Sequence, residues 1–474
     1  MSTSVAIIGG GITGLSTAFY LRREAQARGL DLKVTVLEAD TRIGGKIITD
    51  RPDSFIVEGG PDSFITEKPW GLSLCRDLDL DANLIPANEQ KKTVYVLRHG
   101  KAIPFPGGFR LTVPTEIWPF LVSRLFTPWG KLRMGMERFI PARRETGDES
   151  LAKFIRRRLG GEALDRIAGP LLAGIFVSDP ERMSMQSTFP RLMAMEREHG
   201  SLIRAARILK ARPVPPGQRP TSMFNSLRNG MGHLVEALEA TMPEVIQRNT
   251  RVDSIQRVGA GFQLNLADGR PLPADHVVVT APASAAADML SELHPRLAEQ
   301  LRQIRYVSTA TVSCAYLLED VPADRVLDGY GVLIPASEPS RVLAVTWSST
   351  KFRHRAPADA ILIRAFVGGY RDEPAAELPD DELLKVVAGE FSRLFGITRP
   401  PMFHRIFRWP KANPQYDVGH LDLVSEIEKT TAEIPGLYLA GGSYRGVGMP
   451  DCIHSAHQAV KHLLDSVEPG LSRL

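Results

Sequence analysis

An apolar run that leads into three regularly spaced glycines opens the chain, and it constrains the fold more than any other feature. Residues 5–14 read VAIIGGGITG, which gives Gly9, Gly11 and Gly14 the spacing G-x-G-x-x-G. Such a run predicts a buried strand, a tight turn and a helix, in that order. Gly9 permits the turn, Gly11 leaves room for a ligand beside the backbone, and Gly14 lets the helix pack closely on the strand.

A second strand and an acidic residue follow at the spacing of a dinucleotide-binding unit. Residues 33–37 are strand-like, and Glu38 lies 24 residues after Gly14, where a carboxylate can accept hydrogen bonds from a ribose. The N-terminus of the intervening helix offers unpaired N–H groups to a diphosphate. The unit is therefore predicted to hold a dinucleotide. The predicted contacts are Gly9, Gly10, Gly11, Ile12, Thr13, Gly14, Glu38 and Ala39.

The 474 residues exceed one ordinary hydrophobic core, and the sequence pattern changes along the chain. Strand- and glycine-rich stretches at both ends and in the middle predict a Rossmann-type α/β domain assembled from discontinuous segments. An α+β substrate domain and an inserted helical domain are predicted between them. The predicted boundaries are residues 1–90, 225–282 and 418–474 for the first domain, 91–110 and 283–417 for the second, and 111–224 for the helical domain.

Charge and cysteine content argue against several classes of protein. The formal net charge is only +4, and no basic stripe interleaved with aromatic residues occurs, so nucleic-acid binding is not expected. Cys75, Cys314 and Cys452 are too far apart for a C-x-x-C pair, and no metal-ligand spacing occurs. A strand begins at Val5 and no apolar run is long enough to span a membrane, so a cytoplasmic protein without a signal peptide is expected.

A second glycine cluster follows Glu38 and resembles a motif of flavin enzymes. Residues 42–46 read RIGGK. This R-x-G-G-[RK] pattern resembles the group that contains amine oxidases, carotene desaturases and porphyrinogen oxidases. The resemblance implies FAD, with glycine backbone beside the diphosphate and basic side chains that neutralise it. The cofactor contacts it adds are Arg42, Gly45, Lys46, Gly60, Pro61, Asp62, Ser63, Val252, Trp409, Val447, Gly448 and Met449.

The position of Cys452 bears on how FAD is attached. Amine oxidases with covalent FAD use a cysteine near the C-terminal turn, but Cys452 falls within the start of a helix predicted from Pro450 to Leu464. Non-covalent FAD is therefore expected. No second G-x-G-x-x-G unit could seat NADPH, so the organic substrate is the expected electron donor and oxygen or a quinone the acceptor.

Longer segments resemble the protoporphyrinogen/coproporphyrinogen oxidase family of haem synthesis, over essentially the whole chain. The most specific are residues 195–199 (MEREH) and 444–453 (YRGVGMPDCI). The resemblance implies oxidation of a porphyrinogen to the porphyrin in three two-electron steps. In each step hydride would pass to flavin N5, and oxygen would regenerate FAD with release of peroxide. No catalytic side chain is predicted. Coproporphyrinogen III is favoured slightly over protoporphyrinogen IX.

The same resemblance implies an apolar pocket for a flat ring, with basic residues at its rim. Tyr330, Leu333 and Phe366 match positions that sandwich the ring in family members. Eukaryotic members carry a propionate-pairing arginine where this chain has Lys91 and Lys92, and Lys92 is the candidate anchor. Ordinary core packing of the wall residues and surface exposure of the lysines are the competing interpretations.

Two other functions fit parts of the pattern. One is a flavin amine oxidase or carotenoid desaturase, and the other is a non-enzymatic lipid carrier similar to the GDP-dissociation inhibitors. Residues 118–140 have a long helical pattern that mixes large apolar with basic side chains, which fits peripheral membrane contact or packing between domains. The sequence leaves open the oligomeric state and whether product passes to a ferrochelatase.

Overall fold

A five-stranded parallel sheet forms the first layer of the computed structural model, which describes residues 2–110, 113–114, 116–145, 147–211, 222–322, 325 and 328–467. The first strand is central because its residues 5–8 are all buried, and neighbouring strands pair with it on both sides. From edge to edge the strands are Ile246–Gln247, Leu32–Leu37, Thr3–Ile8, His276–Val279 and Leu437–Leu439. This arrangement confirms the predicted Rossmann-type fold, whereas the residue boundaries of the three domains stay a prediction.

Helices cover one face of this sheet. Helix Ile12–Ala27 follows the glycine turn and packs through Leu15, Ala18 and Leu21 into the core that it shares with helix Met449–Val467. The opposite face packs on a separate core. The elements that contribute to the cores on the two faces, or join them, are Trp70–Asp77, Gly232–Thr241, Val252–Val258, Gly261–Leu266, Pro271–Ala274, Ala283–Leu290, Pro295–Arg302 and His420–Ala432.

A seven-stranded sheet forms the second large layer, antiparallel except for one parallel pair. Its strand Ala360–Gly368 alternates: Ile361 and Ile363 face a core that includes helix Asp380–Phe395, whereas Leu362 packs on the other side. Residues on that other side, including Arg364 and Phe366, share the face that turns toward residues 55–63. In sheet order the strands are Phe403–Pro414, Tyr306–Leu317, Ala360–Gly368, Val342–Trp347, Gly329–Leu333, Thr93–Arg98 and Lys101–Pro104.

The described residues from 117 to 211 are mainly helical, but residues 118–140 do not form one continuous element. Helix Ile117–Val122 ends before Ser123, and a new helix starts at Pro128, where the Thr127 hydroxyl caps the Gly130 N–H. A proline at the first helical position and a threonine cap set such a start. The helices in this region are Ile117–Val122, Pro128–Gly135, Met136–Phe139, Leu151–Arg158, Gly161–Ala163, Leu164–Ala168, Gly169–Ile175, Met185–Thr188, Pro190–His199 and Leu202–Ala211.

Short elements connect the layers. None of the helices in the described part of the chain is both long and apolar enough to cross a membrane. The remaining elements are Thr49–Asp50, Val57–Glu58, Phe64–Ile65, Asp81–Asn83, Leu84–Pro86, Glu89–Lys91, Phe109–Arg110, Val113–Pro114, Phe224–Leu227, Pro243–Val245, Leu318–Asp320, Ser348–Lys351 and Glu373–Glu377.

Candidate functional site

The first glycine turn has the geometry that its sequence predicts. Gly9 has a φ of +108°, and a Cβ at Gly14 would lie 1.9 Å from the Gly9 carbonyl oxygen, so neither position accepts a side chain. Gly11 differs, because a Cβ there would meet only the Gly45 Cα at 3.9 Å. The turn therefore has no room for a side chain at Gly9 or Gly14, whereas open space lies beside Gly11.

Glu38 lies beside this turn, as predicted from the spacing. Its Oε2 accepts a hydrogen bond from the Gly10 N–H at 2.6 Å, and its Oε1 accepts one from the Asp40 N–H at 2.9 Å. The Glu38 carbonyl accepts from the Thr250 N–H at 2.7 Å, which brings Val252 and its strand to the same end of the sheet. Ala39 is exposed next to Glu38.

The second glycine cluster packs directly against the first. Gly11 and Gly44 form a parallel bridge, and a Cβ at Gly45 would lie 3.1 Å from the Gly11 Cα. Arg42 Nη2 donates to the Gly45 carbonyl at 2.6 Å. Lys46 Nζ donates to the Ala412 carbonyl and makes no ion pair with a carboxylate of the described residues. Lys46 is exposed to solvent, although the surrounding protein still desolvates its ammonium and so lowers its pKa.

These residues fit the diphosphate of a dinucleotide. Helix Ile12–Ala27 has no side-chain cap at Gly11 and no acidic residue in its first turn, so its positive end is free to face an anion. The space above Gly11 would accept the phosphates, and Thr13 and Lys46 lie around it. The predicted contacts from residues 9–14 and 42–46 thus lie together in the fold.

The loop of residues 59–63 joins this region to the seven-stranded sheet. Arg364 Nη2 donates to the Gly59 carbonyl at 2.8 Å and to the Gly60 carbonyl at 2.7 Å, and Trp409 Nε1 donates to the Gly59 carbonyl at 3.1 Å. A Cβ at Gly60 would lie 1.7 Å from the Lys46 carbonyl oxygen. The loop is therefore wedged between the glycine turns and the sheet, with the half-buried Pro61 beside it.

Asp62 lies among basic side chains that were not predicted from the sequence. Lys351 Nζ lies 2.8 Å from Asp62 Oδ2, and Arg364 is also close enough to act on this carboxylate. Burial alone would raise the pKa of Asp62, but the charges of Lys351 and Arg364 outweigh it and hold this pKa at about 2. Ser63 Oγ donates to Asp62 Oδ1 at 2.6 Å. No motif marks Lys351 or Arg364, because their partners lie about 300 positions earlier in the chain.

The C-terminal turn closes the site from the other side. A Cβ at Gly441 would lie 3.6 Å from Thr13 Oγ1, and one at Gly442 would lie 3.4 Å from Cys452 Sγ. Burial raises the pKa of the Cys452 thiol, and the positive charge of Lys46 partly offsets this rise. Val447, Gly448 and Met449 run into the first turn of helix Met449–Val467, so the start of this helix lies close to the glycine turn.

The predicted wall residues separate into two groups. Leu333 pairs with Ala344, which pairs with Phe366 on the next strand, so Leu333 and Phe366 share one face of the sheet. Phe366 in turn pairs with Thr311, whose Oγ1 donates to the Gly59 carbonyl at 3.0 Å. That face therefore turns toward the loop of residues 59–63.

Tyr330 belongs to a neighbouring cluster. It packs against a small core that contains Phe352, and Lys351 Nζ lies 5.2 Å from the centre of the Phe352 ring. Burial raises the pKa of Tyr330 to about 12. Lys92 is exposed and pairs with Glu89 at 3.3 Å, so in this conformation its ammonium is engaged on the surface.

Comparison with known proteins agrees with this geometry. A model of the flavin containing amine oxidoreductase family matches residues 12–464. Coproporphyrinogen III oxidase from Bacillus subtilis is 37% identical over 466 residues, which cover 97% of each chain. Coproporphyrinogen III oxidase from Propionibacterium freudenreichii is 35% identical over 495 residues, with 98% of this chain and 91% of the relative covered.

A solved structure extends the likeness to three dimensions. A crystal structure from Exiguobacterium sp. 255-15, which carries the provisional name protoporphyrinogen oxidase, is 32% identical. It superimposes with a TM-score of 0.87 over 99% of both chains. The chain therefore belongs to the flavin containing amine oxidoreductase family and, within it, to the group of the bacterial coproporphyrinogen III oxidases.

Proposed function

We propose that this protein is an FAD-dependent oxidase that converts a porphyrinogen of haem synthesis to the porphyrin, with coproporphyrinogen III as the preferred substrate. The observation that carries the proposal is the apolar row through Leu333 and Phe366, which turns toward the loop joining the sheet to the open glycine turn. Near full-length relatives named coproporphyrinogen III oxidase support it.

The residues proposed to hold FAD are those around the glycine turns. The backbone of residues 9–14 and the Lys46 ammonium would face the diphosphate, and Glu38 with Val252 would lie at the adenosine end. The loop of residues 60–63, Trp409 and residues 447–449 would surround the flavin. The attachment is proposed to be non-covalent, since burial keeps the Cys452 thiol protonated and poorly nucleophilic.

Bound FAD would accept two electrons from a bridge carbon of the porphyrinogen in each of three steps, with oxygen as final acceptor and hydrogen peroxide as product. The chain itself would bind and orient the ring. Leu333, Phe366 and Tyr330 would contact the ring and exclude water from it. Asp62 stays ionised, because the positive charges of Lys351 and Arg364 lower its pKa, and so places a negative charge within the loop of residues 59–63.

The binding of the substrate carboxylates is also a proposal. Lys92 is exposed and carries a positive charge at the side of the sheet where Tyr330 lies, so it can exchange its surface contact with Glu89 for a substrate carboxylate. Exchange of one exposed ion pair for another costs little, because such pairs contribute about 1 kcal/mol or less. Coproporphyrinogen has four carboxylates and protoporphyrinogen two, so a basic rim favours the former.

We also propose a cytoplasmic setting with peripheral contact to a membrane or to a ferrochelatase. Trp118, Trp129 and Phe139 are each more than 70% exposed in the helical region, and Lys131 and Arg138 lie close to the last two in the sequence. Large exposed apolar side chains beside cations favour contact with a lipid surface or a partner protein. The number of subunits is left open.

The test is to supply the purified protein with coproporphyrinogen III and protoporphyrinogen IX separately, in air, and to follow porphyrin fluorescence and peroxide. We expect both to appear with the first substrate, and more slowly with the second. A yellow protein that releases peroxide from polyamines and leaves both porphyrinogens unchanged would identify an amine oxidase instead. A folded protein without flavin absorbance would contradict the proposal and favour a lipid-carrier role.

A further inference from the structure

Tyr416 joins two ends of the loop that precedes the C-terminal helix. This tyrosine follows the strand Phe403–Pro414 and is 2% exposed. Its hydroxyl donates to the Gly442 carbonyl at 2.8 Å and accepts from the Gly446 N–H at 2.8 Å. One oxygen atom therefore fixes both sides of residues 442–446, which we call the clamp loop.

His420 holds the middle of the clamp loop. Its imidazole stacks on the Tyr416 ring with centroids 4.0 Å apart and planes 14° apart. Its Nε2 donates to the Tyr444 carbonyl at 2.8 Å. Burial lowers the pKa of His420, and both the neutral and the protonated ring can donate this bond.

A third aromatic side chain contacts the clamp loop from a different direction. Tyr306 begins the strand Tyr306–Leu317, and its hydroxyl lies 2.7 Å from Ser443 Oγ. The same hydroxyl accepts from the Ala283 N–H at 2.8 Å, at the start of helix Ala283–Leu290. The loop is therefore tied to three elements and has little freedom to shift on its own.

The position of the clamp loop sets the position of the helix that follows. A Cβ added at Gly442 would lie 3.4 Å from Cys452 Sγ in the first turn of helix Met449–Val467, and one added at Gly441 would lie 3.6 Å from Thr13 Oγ1 in the glycine turn. A displacement of the loop would move the positive end of the helix relative to residues 9–14. An electrostatic effect at a helix end falls off within the first turn, so small displacements matter.

We infer that Tyr416 is a positioning residue for the flavin: its hydroxyl holds the clamp loop so that the positive end of helix Met449–Val467 faces the ring. The inference rests on the proposed binding of FAD at residues 447–449. A positive helix end stabilises the negative charge of reduced flavin, and it makes the oxidised ring more electrophilic. Tyr416 therefore contributes to the electron affinity of the cofactor without contact to the substrate.

The test compares Tyr416→Phe with Tyr444→Phe. The first variant keeps the ring and its stack on His420 and removes both clamp bonds. The second removes a buried hydroxyl of the same loop that has no hydrogen-bond partner among the described residues. Sulfite, which adds to oxidised flavin, serves as the probe, and a spectroscopic titration gives its Kd alongside the flavin midpoint potential and the Kd of FAD.

We expect Tyr416→Phe to weaken sulfite binding about fivefold and to lower the midpoint potential. Tyr444→Phe should match the wild type. Folded Tyr416→Phe that loses FAD would also support a role in positioning. If Tyr416→Phe does not fold in plain buffer, the same titrations are run in trimethylamine N-oxide, an osmolyte that stabilises folded proteins, with the wild type in the same buffer.

Two results would overturn the inference. One is unchanged sulfite affinity, potential and FAD affinity in the folded Tyr416→Phe variant. The other is an equal change in Tyr444→Phe. A wild type that binds FAD but oxidises neither porphyrinogen would contradict the proposed function alone, because the titration needs no porphyrinogen. A wild type without flavin would overturn both.

Discussion

Lys351 and Asp62 form an ion pair at 2.8 Å across the interface between the seven-stranded sheet and the loop of residues 59–63. Lys351→Met should leave the Asp62 carboxylate with less compensation, since its lysine partner is lost and the arginines Arg364 and Arg355 remain. We expect the free energy of unfolding to fall by about 1–3 kcal/mol, because the carboxylate of this partly buried pair loses a charged hydrogen-bond partner. Urea denaturation at neutral pH measures this, with Lys351→Arg as the charge-preserving control. Equal midpoints for Lys351→Met and the wild type would contradict it.

The depressed pKa of Asp62 makes a separate prediction about acid stability. The pKa of about 2 in the folded state lies below the value of an unfolded aspartate, about 3.9. The stabilisation is therefore fully present above the unfolded pKa and is lost as the pH falls toward 2. In denaturation curves recorded between about pH 5 and 2.5, Asp62→Asn should show a shallower loss of stability than the wild type. Parallel curves would show that Asp62 is not held ionised in the fold.

Gly11→Val should empty the cofactor site without unfolding the protein. The φ of −75° and ψ of 179° at Gly11 suit a β-branched residue, and the added side chain would enter open space above the turn. Flavin absorbance per protein should disappear while the melting temperature matches that of wild type stripped of flavin. A yellow and active Gly11→Val protein would mean that the cofactor lies elsewhere.

Two further glycine variants calibrate that experiment. A Cβ at Gly14 would lie 1.9 Å from the Gly9 carbonyl oxygen, so Gly14→Ala should destabilise the fold itself. Gly389 lies within helix Asp380–Phe395, and a methyl group added there would enter open space. Gly389→Ala should therefore leave flavin content unchanged and stabilise the protein slightly.

Phe366→Ala and Leu333→Ala should raise the KM for the porphyrinogen about tenfold and leave flavin content unchanged. Both side chains share the face that turns toward residues 59–63, and loss of apolar contact with a bound ring costs about 1–3 kcal/mol. Steady-state fluorescence kinetics give the KM. Leu318→Ala is the control, since Leu318 is exposed just after the strand Tyr306–Leu317. A fall in the free energy of unfolding with an unchanged KM would assign these residues to the core.

Glu137 anchors the helical region, and its removal should destabilise that region selectively. Arg158 pairs with Glu137, and both side chains are fully buried. Glu137 also accepts from Ser201 Oγ at 2.6 Å and from the Leu202 N–H at 2.8 Å. Glu137→Ala should cost about 3–5 kcal/mol, seen as faster hydrogen exchange in helix Leu202–Ala211. Arg156→Ala, on the same helix as Arg158 but exposed, should cost under about 1 kcal/mol; a similar cost for both would contradict the prediction.

The parts of the site that the sequence predicted are those encoded by local spacing. The strand, glycine turn, helix and acid occur within 38 residues, and the contact between Glu38 and the Gly10 N–H follows from the parallel pairing of their strands. The R-x-G-G-K turn follows Glu38 directly, so its approach to Gly11 is also a local consequence. For such features, the order of residues already determines which atoms meet.

The parts that the sequence analysis missed depend on pairing between distant segments. Arg364 appears in the sequence as an isolated charge in an apolar strand, and only its alignment beside Gly59 explains why it is there. The continuous helical pattern of residues 118–140 is likewise interrupted, because Thr127 caps a new helix that starts at Pro128. The spacing of apolar residues does not reveal such a cap. For Lys92 the choice between substrate anchor and surface lysine stayed open, because an exposed lysine has no fixed partner until a ligand is present.

The parallel sheet has a consequence for the order of events during synthesis. Its edge strand, Leu437–Leu439, and the helix that packs against Ile12–Ala27 come from residues 437–467, at the end of the described chain, whereas the glycine turn is made first. A nascent chain therefore carries an incomplete nucleotide cradle until residues 437–467 have been synthesised. Truncation before residue 437 would leave helix Ile12–Ala27 without the helix that packs against it. Such fragments are expected to be degraded by proteases rather than to keep partial activity.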